Sequence, residues 1–195
     1  MPRSPQRKEE TRQRIVAAAS RRFRAAGLEG AGVAEIMAAA GLTHGGFYAH
    51  FGNKADLVLA ALAAALAETR AMWLAELEGL GAADAYRLIL GRYLCRAHRD
   101  DPAGGCAIAA LASELARQDA KIRGAFERDF IGTLEALELH VPERDGLSRR
   151  ERALATMALA LGGLLLARMV ASAELSDAVL LACRRAALRA LGPTS

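Results

Sequence analysis

Gly41-Leu42-Thr43-His44-Gly45-Gly46-Phe47-Tyr48-Ala49-His50-Phe51-Gly52-Asn53-Lys54-Ala55-Asp56-Leu57 is the stretch whose reading decides the fold. Gly41 marks a tight turn, about 43–51 reads as a short helical segment, and Gly52-Asn53 ends it before a long helix opens at Lys54. Leu42, Phe47 and Phe51 share one face, while Thr43, His44, Gly45, Tyr48 and His50 are directed away from it. Tyr48 lies about 100° round the helix from Phe47, which sends one ring inward and one hydroxyl outward. Hydroxyls, imidazoles and glycine backbone suit phosphates and base edges. Tyr48 and His50 also fit a second role, as half-buried aromatics capping the small core. Gly45 and Gly46 together sacrifice about 2 kcal/mol of helix propensity relative to alanine, which a close backbone approach to a ligand explains; a distorted turn without ligand is the alternative. Asn53, three residues before Asp56, resembles a weakened capping box. It leaves Lys54 beside the exposed amides of a helix N-terminus, a natural phosphate site.

Working outward, Val33, Ile36, Met37 and Ala40 recur at helical spacing and predict a short helix over about 33–40. A longer basic helix over about 9–26 carries Ile15, Ala19, Phe23 and Ala26 on one face and stops at Gly27. Two short helices joined by a turn containing Gly41, preceded by a longer helix, have the form of a helix-turn-helix, whose second helix enters the major groove. Its core should combine Ile15, Phe23, Ile36 and Ala40 with Leu42, Phe47 and Phe51. Charge follows the same division. Residues 1–56 hold nine Lys/Arg (Arg3, Arg7, Lys8, Arg12, Arg14, Arg21, Arg22, Arg24, Lys54) against five acids, so the formal excess of +4 lies entirely there. Such a segment attracts a polyanion through counterion release, though a solvated basic tail has the same composition.

The 41–57 stretch resembles the recognition helix of the TetR (tetracycline-repressor) family and its passage into the following long helix. Thr11-Arg12-Gln13-Arg14-Ile15-Val16-Ala17-Ala18-Ala19 and residues 23–27 are similar to that family's first helix, and the resemblance spans about 9–60. It implies that Thr43, Tyr48, His50 and Lys54 hold DNA phosphates while His44, Gly45 and Gly46 face the bases. It further implies a repressor released from its operator by a small molecule. One departure is plain: where the family has a Ser or Thr cap followed shortly by Arg, this chain has Gly32 and Ala34, which shifts phosphate binding toward the N-terminal arginines or Thr43.

The remaining sequence predicts further helices over about 54–78, 84–98, 106–118, 120–139, 148–173 and 176–191, separated by linkers rich in Gly, Pro and Asp. With 53% apolar and only 5% aromatic residues, the expected fold is all-α with about nine helices. The expected domains are a helix-turn-helix bundle over 1–56 and a helical ligand-binding and dimerisation domain over 57–195. In the resemblance, the last two helices pair with those of a second copy; residues 153–167, apolar all round apart from Thr156, suit such a homodimer or a helix central to its own subunit. Gly162-Gly163 would let a facing helix approach closely. Met72, Trp73, Tyr86, Tyr93, Phe126, Phe130 and Met157 are the candidates to line a cavity for a largely apolar inducer, each of them also a normal core residue. Cys95, Cys106 and Cys183 lack disulfide or zinc spacing, and no nucleophile with an acid and oxyanion element is apparent near His98, Cys106 or His140. No cofactor, metal or enzymatic activity is expected. Neither a signal peptide nor a charge-free run of eighteen apolar residues occurs, which predicts a cytoplasmic protein without membrane contact. The competing function is a helical ligand-binding or signalling protein whose N-terminal bundle contacts another protein.

Overall fold

The computed structural model describes residues 5–142 and 146–189; the expected end of the last helix at 191 falls outside them. Among the described residues every regular element is helical: α1 (Pro5–Gly30), α2 (Val33–Ala39), a 3-10 helix (His44–Ala49), α3 (Lys54–Leu74), α4 (Ala82–Tyr93), α5 (Arg96–Asp100), α6 (Ala107–Leu115), α7 (Ala120–Glu138), α8 (Arg149–Met169) and α9 (Ala173–Leu188). The all-α architecture is the one expected. Two compact units emerge, one from the residues up to Glu68 with Ala103–Asp129, the other from Thr69–Pro102 with the residues from Phe130 onward. This grouping differs from a division at 56/57 because packing, rather than chain order, defines it. Leu57, Val58, Ala61 and Leu62 of α3, Leu111 and Leu115 of α6, and Ile122 of α7 all join the core of the first unit.

That core is built on Ile15, Ala19, Phe23, Ile36, Met37, Phe47 and Phe51, all buried, with Leu42 packed against it. Each large apolar side chain removed from water contributes about 1.5–3 kcal/mol. At Gly27 the backbone leaves the helix (φ 81°, ψ 167°), so α1 is broken where the sequence predicts its end. The Glu114 carboxylate of α6 accepts the Leu28 N–H at 2.7 Å beside this break and satisfies an amide freed by it. Arg24 is buried too. It pairs with Glu68 at 2.8 Å and donates to Gly105 O at 2.9 Å and Ser20 Oγ at 3.0 Å.

In the second unit two of the differences from the expected helix ends have a tertiary reason. α3 stops at Leu74 rather than near residue 78: Glu76 takes a left-handed φ of 57°, and the Arg92 guanidinium of α4 donates to the carbonyls of Trp73 and Ala75. The expected 84–98 helix is two, because Cys95 is extended (φ −136°, ψ 162°) and its sulfur accepts the His98 N–H, while the His98 ring bonds Tyr93 O at 2.8 Å. α8 opens with a complete Ser148/Glu151 capping box, and α9 begins after the Ser172 cap, a few residues earlier than expected. α8 and α9 pack together, Gly163 lying so close to Cys183 that a Cβ there would stand 2.7 Å from its sulfur. Both α3 and α8 are long and apolar enough to cross a membrane by composition. α3, however, sends Leu57, Ala61 and Leu62 into the first unit's core, and α8 buries Arg152 and Thr156.

Candidate nucleic-acid interface

α2 ends in a Schellman motif: Leu42 N–H bonds Met37 O and Gly41 N–H bonds Ala38 O, both at 2.9 Å, with Gly41 at φ 70°. Arg14 of α1 donates to Ala40 O at 2.5 Å and ties this turn to the first helix. The sharp reversal puts Thr43 in an extended conformation (φ −81°, ψ 150°), from which the next segment starts. That segment is a 3-10 helix over His44–Ala49 rather than the α-helical turn the spacing suggests. Two adjacent glycines, both poor helix formers, account for the tighter winding.

Phe47 anchors the segment in the core, stacked on Phe51 with ring centroids 5.7 Å apart. Tyr48 meets Phe47 edge-on at 5.2 Å yet is 70% exposed, so the core-capping role does not apply to it. Thr43, His44 and Gly45 are also exposed, whereas Gly46, His50 and Lys54 are half-buried. A Cβ on Gly45 would meet nothing within 4 Å, so the protein itself does not require glycine there. Asn53 Oδ1 accepts the Asp56 N–H at 2.9 Å, which caps α3 and sets Lys54 at its first residue. Together Thr43, His44, Gly45 and Tyr48 form an exposed strip with hydroxyl, imidazole and open backbone, continued by Lys54 at a helix N-terminus.

The sequence family described as bacterial regulatory proteins, tetR family, matches residues 15–61. The HTH-type transcriptional regulator TtgR of Pseudomonas putida is 43% identical over 60 residues, which are 31% of this chain and 29% of TtgR. A TetR transcriptional regulator from Chloroflexus aurantiacus J-10-FL matches 92% of this chain and 95% of its own, at 27% identity and a TM-score of 0.76. Residues 15–61 match the tetR family of bacterial regulatory proteins, and the chain as a whole is similar in fold to TetR regulators of known structure. The reduced form of E. coli NemR, at 21% identity and a TM-score of 0.73 over 90% of this chain and 96% of its own, shares the fold. The matched segment therefore covers less than a third of the curated relative, TtgR.

The candidate ligand residues do not form one group. Trp73 and Tyr93 meet edge-on at 4.5 Å, and His98 joins Tyr93 at 4.7 Å. The Tyr86 hydroxyl bonds Thr156 Oγ1 at 2.9 Å; burial raises its pKa, opposed by that hydrogen bond and by the Arg152 charge. Phe130 and Met157 are half-buried in the same unit. The other two candidates lie elsewhere. Met72 is exposed, because it neighbours Trp73 on α3 and so points about 100° away from that buried ring. Phe126 packs against the core of the first unit instead, since it lies one turn after Ile122 on α7.

Sequence reasoning missed the polar residues of this second unit. Arg99 and Arg96 converge on Asp177, whose carboxyl is held below the usual range chiefly by its hydrogen bond to Arg96, and Arg168 donates to the carbonyls of His98 and Arg99. Trp73 Nε1 is buried with no hydrogen-bond acceptor among the described residues. Cys106 is buried, Cys95 and Cys183 are half-buried, and no disulfide joins them. No cluster of three His, Cys, Asp or Glu suited to a metal occurs among the described residues.

Proposed function

We propose that this protein is a cytoplasmic, homodimeric transcriptional repressor that reads operator DNA with residues 43–54 and releases it on binding a small, largely apolar molecule in its second unit. The exposed strip on a segment pinned from behind by Phe47 carries this reading. Thr43, Tyr48, His50 and Lys54 bind phosphates, which positions the protein without reading sequence. His44, Gly45 and Gly46 face the base edges. Dimerisation supplies two reading segments at the roughly 34 Å that successive major grooves require. The apolar surface for it is provided by Leu154, Leu166 and Met169 of α8 with Leu175 and Leu181 of α9, all exposed in the single chain.

The orphan indole N–H of Trp73 supports the ligand reading, since a buried donor normally has an acceptor, and an inducer with one polar acceptor on an apolar body supplies it. The direct test is titration of the protein against a labelled duplex from upstream of its own gene, over a range of salt. Affinity that falls steeply as salt rises is the expected outcome, and failure to bind duplex DNA at low salt defeats the proposal. Fluorescence of Trp73, the only tryptophan, then reports apolar compounds, whose affinity operator DNA must lower by the factor by which they lower operator affinity.

A further inference from the structure

The basic residues of the first unit are not equivalent. Arg24 is buried in an ion pair and Arg14 caps the turn after α2, so both are engaged in the fold. Arg12 differs. Its guanidinium carbon lies 4.9 Å from the centroid of the Phe51 ring, it is half-buried, and it pairs with no carboxylate among the described residues.

Its position on α1 is also unusual. Ile15, Ala19 and Phe23 face the core, and Arg12 continues that stripe one turn beyond it, followed by exposed Lys8 at the same face. The core-facing stripe thus becomes basic where it reaches Phe51, two residues before the Asn53 cap and three before Lys54. Phe51 stacks on Phe47, and Phe47 meets Tyr48, so an aromatic ladder runs beneath the reading segment with the Tyr48 hydroxyl at one end and Arg12 at the other. A guanidinium laid on a ring uses its face for the contact and keeps its N–H edges available, and those edges match a phosphate.

We infer that Arg12 is a further DNA-backbone contact, fixed in orientation by Phe51, that works alongside Lys54 and replaces part of the phosphate binding missing at Gly32 and Ala34. This inference rests on the DNA-binding reading above. The contact is to phosphate and carries no sequence information. The competing role is one in which the Arg12 side chain only covers Phe51.

Arg12→Met separates the two, because it keeps an unbranched apolar cover and removes the charge. The full-length variant, wild type and the exposed-site control Arg21→Gln are titrated by fluorescence anisotropy against two labelled duplexes, the gene's own upstream region and a scrambled sequence of equal length, over about 50–200 mM salt. For Arg12→Met the slope of log affinity against log salt should fall by about 0.9, one phosphate contact. Both duplexes should weaken by the same factor, roughly tenfold. Arg12→Lys should retain the slope with affinity between the two, since it keeps the charge but not the planar stack. A slope for Arg12→Met equal to that of wild type overturns the inference, as does a loss equal to that of Arg21→Gln. Should Arg12→Met lose its helical circular dichroism, Arg12→Gln takes its place with the same criteria. Wild type that binds neither duplex overturns the DNA-binding reading and this inference with it; wild type that binds with a steep slope unchanged in the variant overturns this inference alone.

Discussion

Gly45→Ala separates what the fold needs from what DNA needs. A Cβ at this position meets no atom within 4 Å, and the backbone there is not left-handed, so alanine adds no clash and no strain. By restricting the unfolded chain, it should stabilise the protein by about 0.4–1 kcal/mol. For a chain of this length that corresponds to a rise in melting temperature of roughly 1–4 °C. Gly46→Ala is a milder companion, since its Cβ would make an ordinary 3.6 Å contact with Met37. Operator binding should move the other way. A methyl group on the exposed side of the reading segment occupies the space through which backbone approaches the groove, and loss of a well-fitted contact there costs about 1–3 kcal/mol, roughly 5- to 150-fold in affinity. Calorimetry of the free protein and anisotropy on the upstream duplex give the two numbers independently. A variant that is more stable and binds DNA as well as wild type would refute the reasoning, leaving the paired glycines as a turn feature unrelated to DNA.

Three other outcomes follow from the same structure. Lys54→Ala should weaken specific and scrambled duplexes alike and lower the salt slope by about one, whereas His44→Ala should alter the ranking of operator variants by about 1–3 kcal/mol; identical profiles for the two would merge their roles. Leu166→Glu should leave monomers by light scattering: Leu166 is 52% exposed in the single chain, so the carboxylate is costly only when a second copy covers it. A clean dimer would move the interface off α8. His98 is buried, and that burial lowers its pKa more than the Tyr93 carbonyl raises it, with a further lowering from Arg168 and a raising from Asp101. The unfolded chain therefore takes up a proton near pH 6.5 that the native state refuses, so stability is full above that pH and declines below it, by at most about 1.4 kcal/mol per pH unit. Melts of wild type and His98→Gln at about pH 7.5 and about pH 5.5 check this, with a smaller acid loss expected in the variant; equal losses would remove His98 as the cause.

The recognition segment was legible because its determinants are local. Gly41 marks a left-handed turn, Phe47 and Phe51 recur on one face, and Asn53 caps the next helix, so the turn, the core and the exposed strip could be read from neighbours within a few residues. Elsewhere the deciding partner lies far along the chain. Nothing near Leu74 announces that Arg92 will cap α3, and the glycine nearest the break after Tyr93, Gly91, lies inside α4, so the break depends on a cysteine sulfur and a histidine ring. Phe126 has the composition of a ligand contact but the position of a core residue. Gly162-Gly163 suggested a close facing helix; at Gly163 the neighbour is Cys183 of the same chain, while a Cβ added at Gly162 would meet nothing within 4 Å among the described residues.

Glu114 reaches back 86 residues to complete the end of α1, and Gly105 does the same for Arg24. The reading head is therefore not a cassette. A chimera that grafts only residues 1–60 onto a foreign sensor domain leaves an arginine without Glu68 and without its carbonyl acceptor, an amide without its carboxylate, and a core lacking Leu111, Leu115 and Ile122. For such a swap to work, the donor segment must include residues 103–129 or the recipient must offer a helix with a carboxylate at the equivalent place. The same constraint acts on evolution: on the proposed function a change of operator would proceed within residues 43–54 alone, but exchange of the whole N-terminal bundle demands a matched exchange of the helix that closes it.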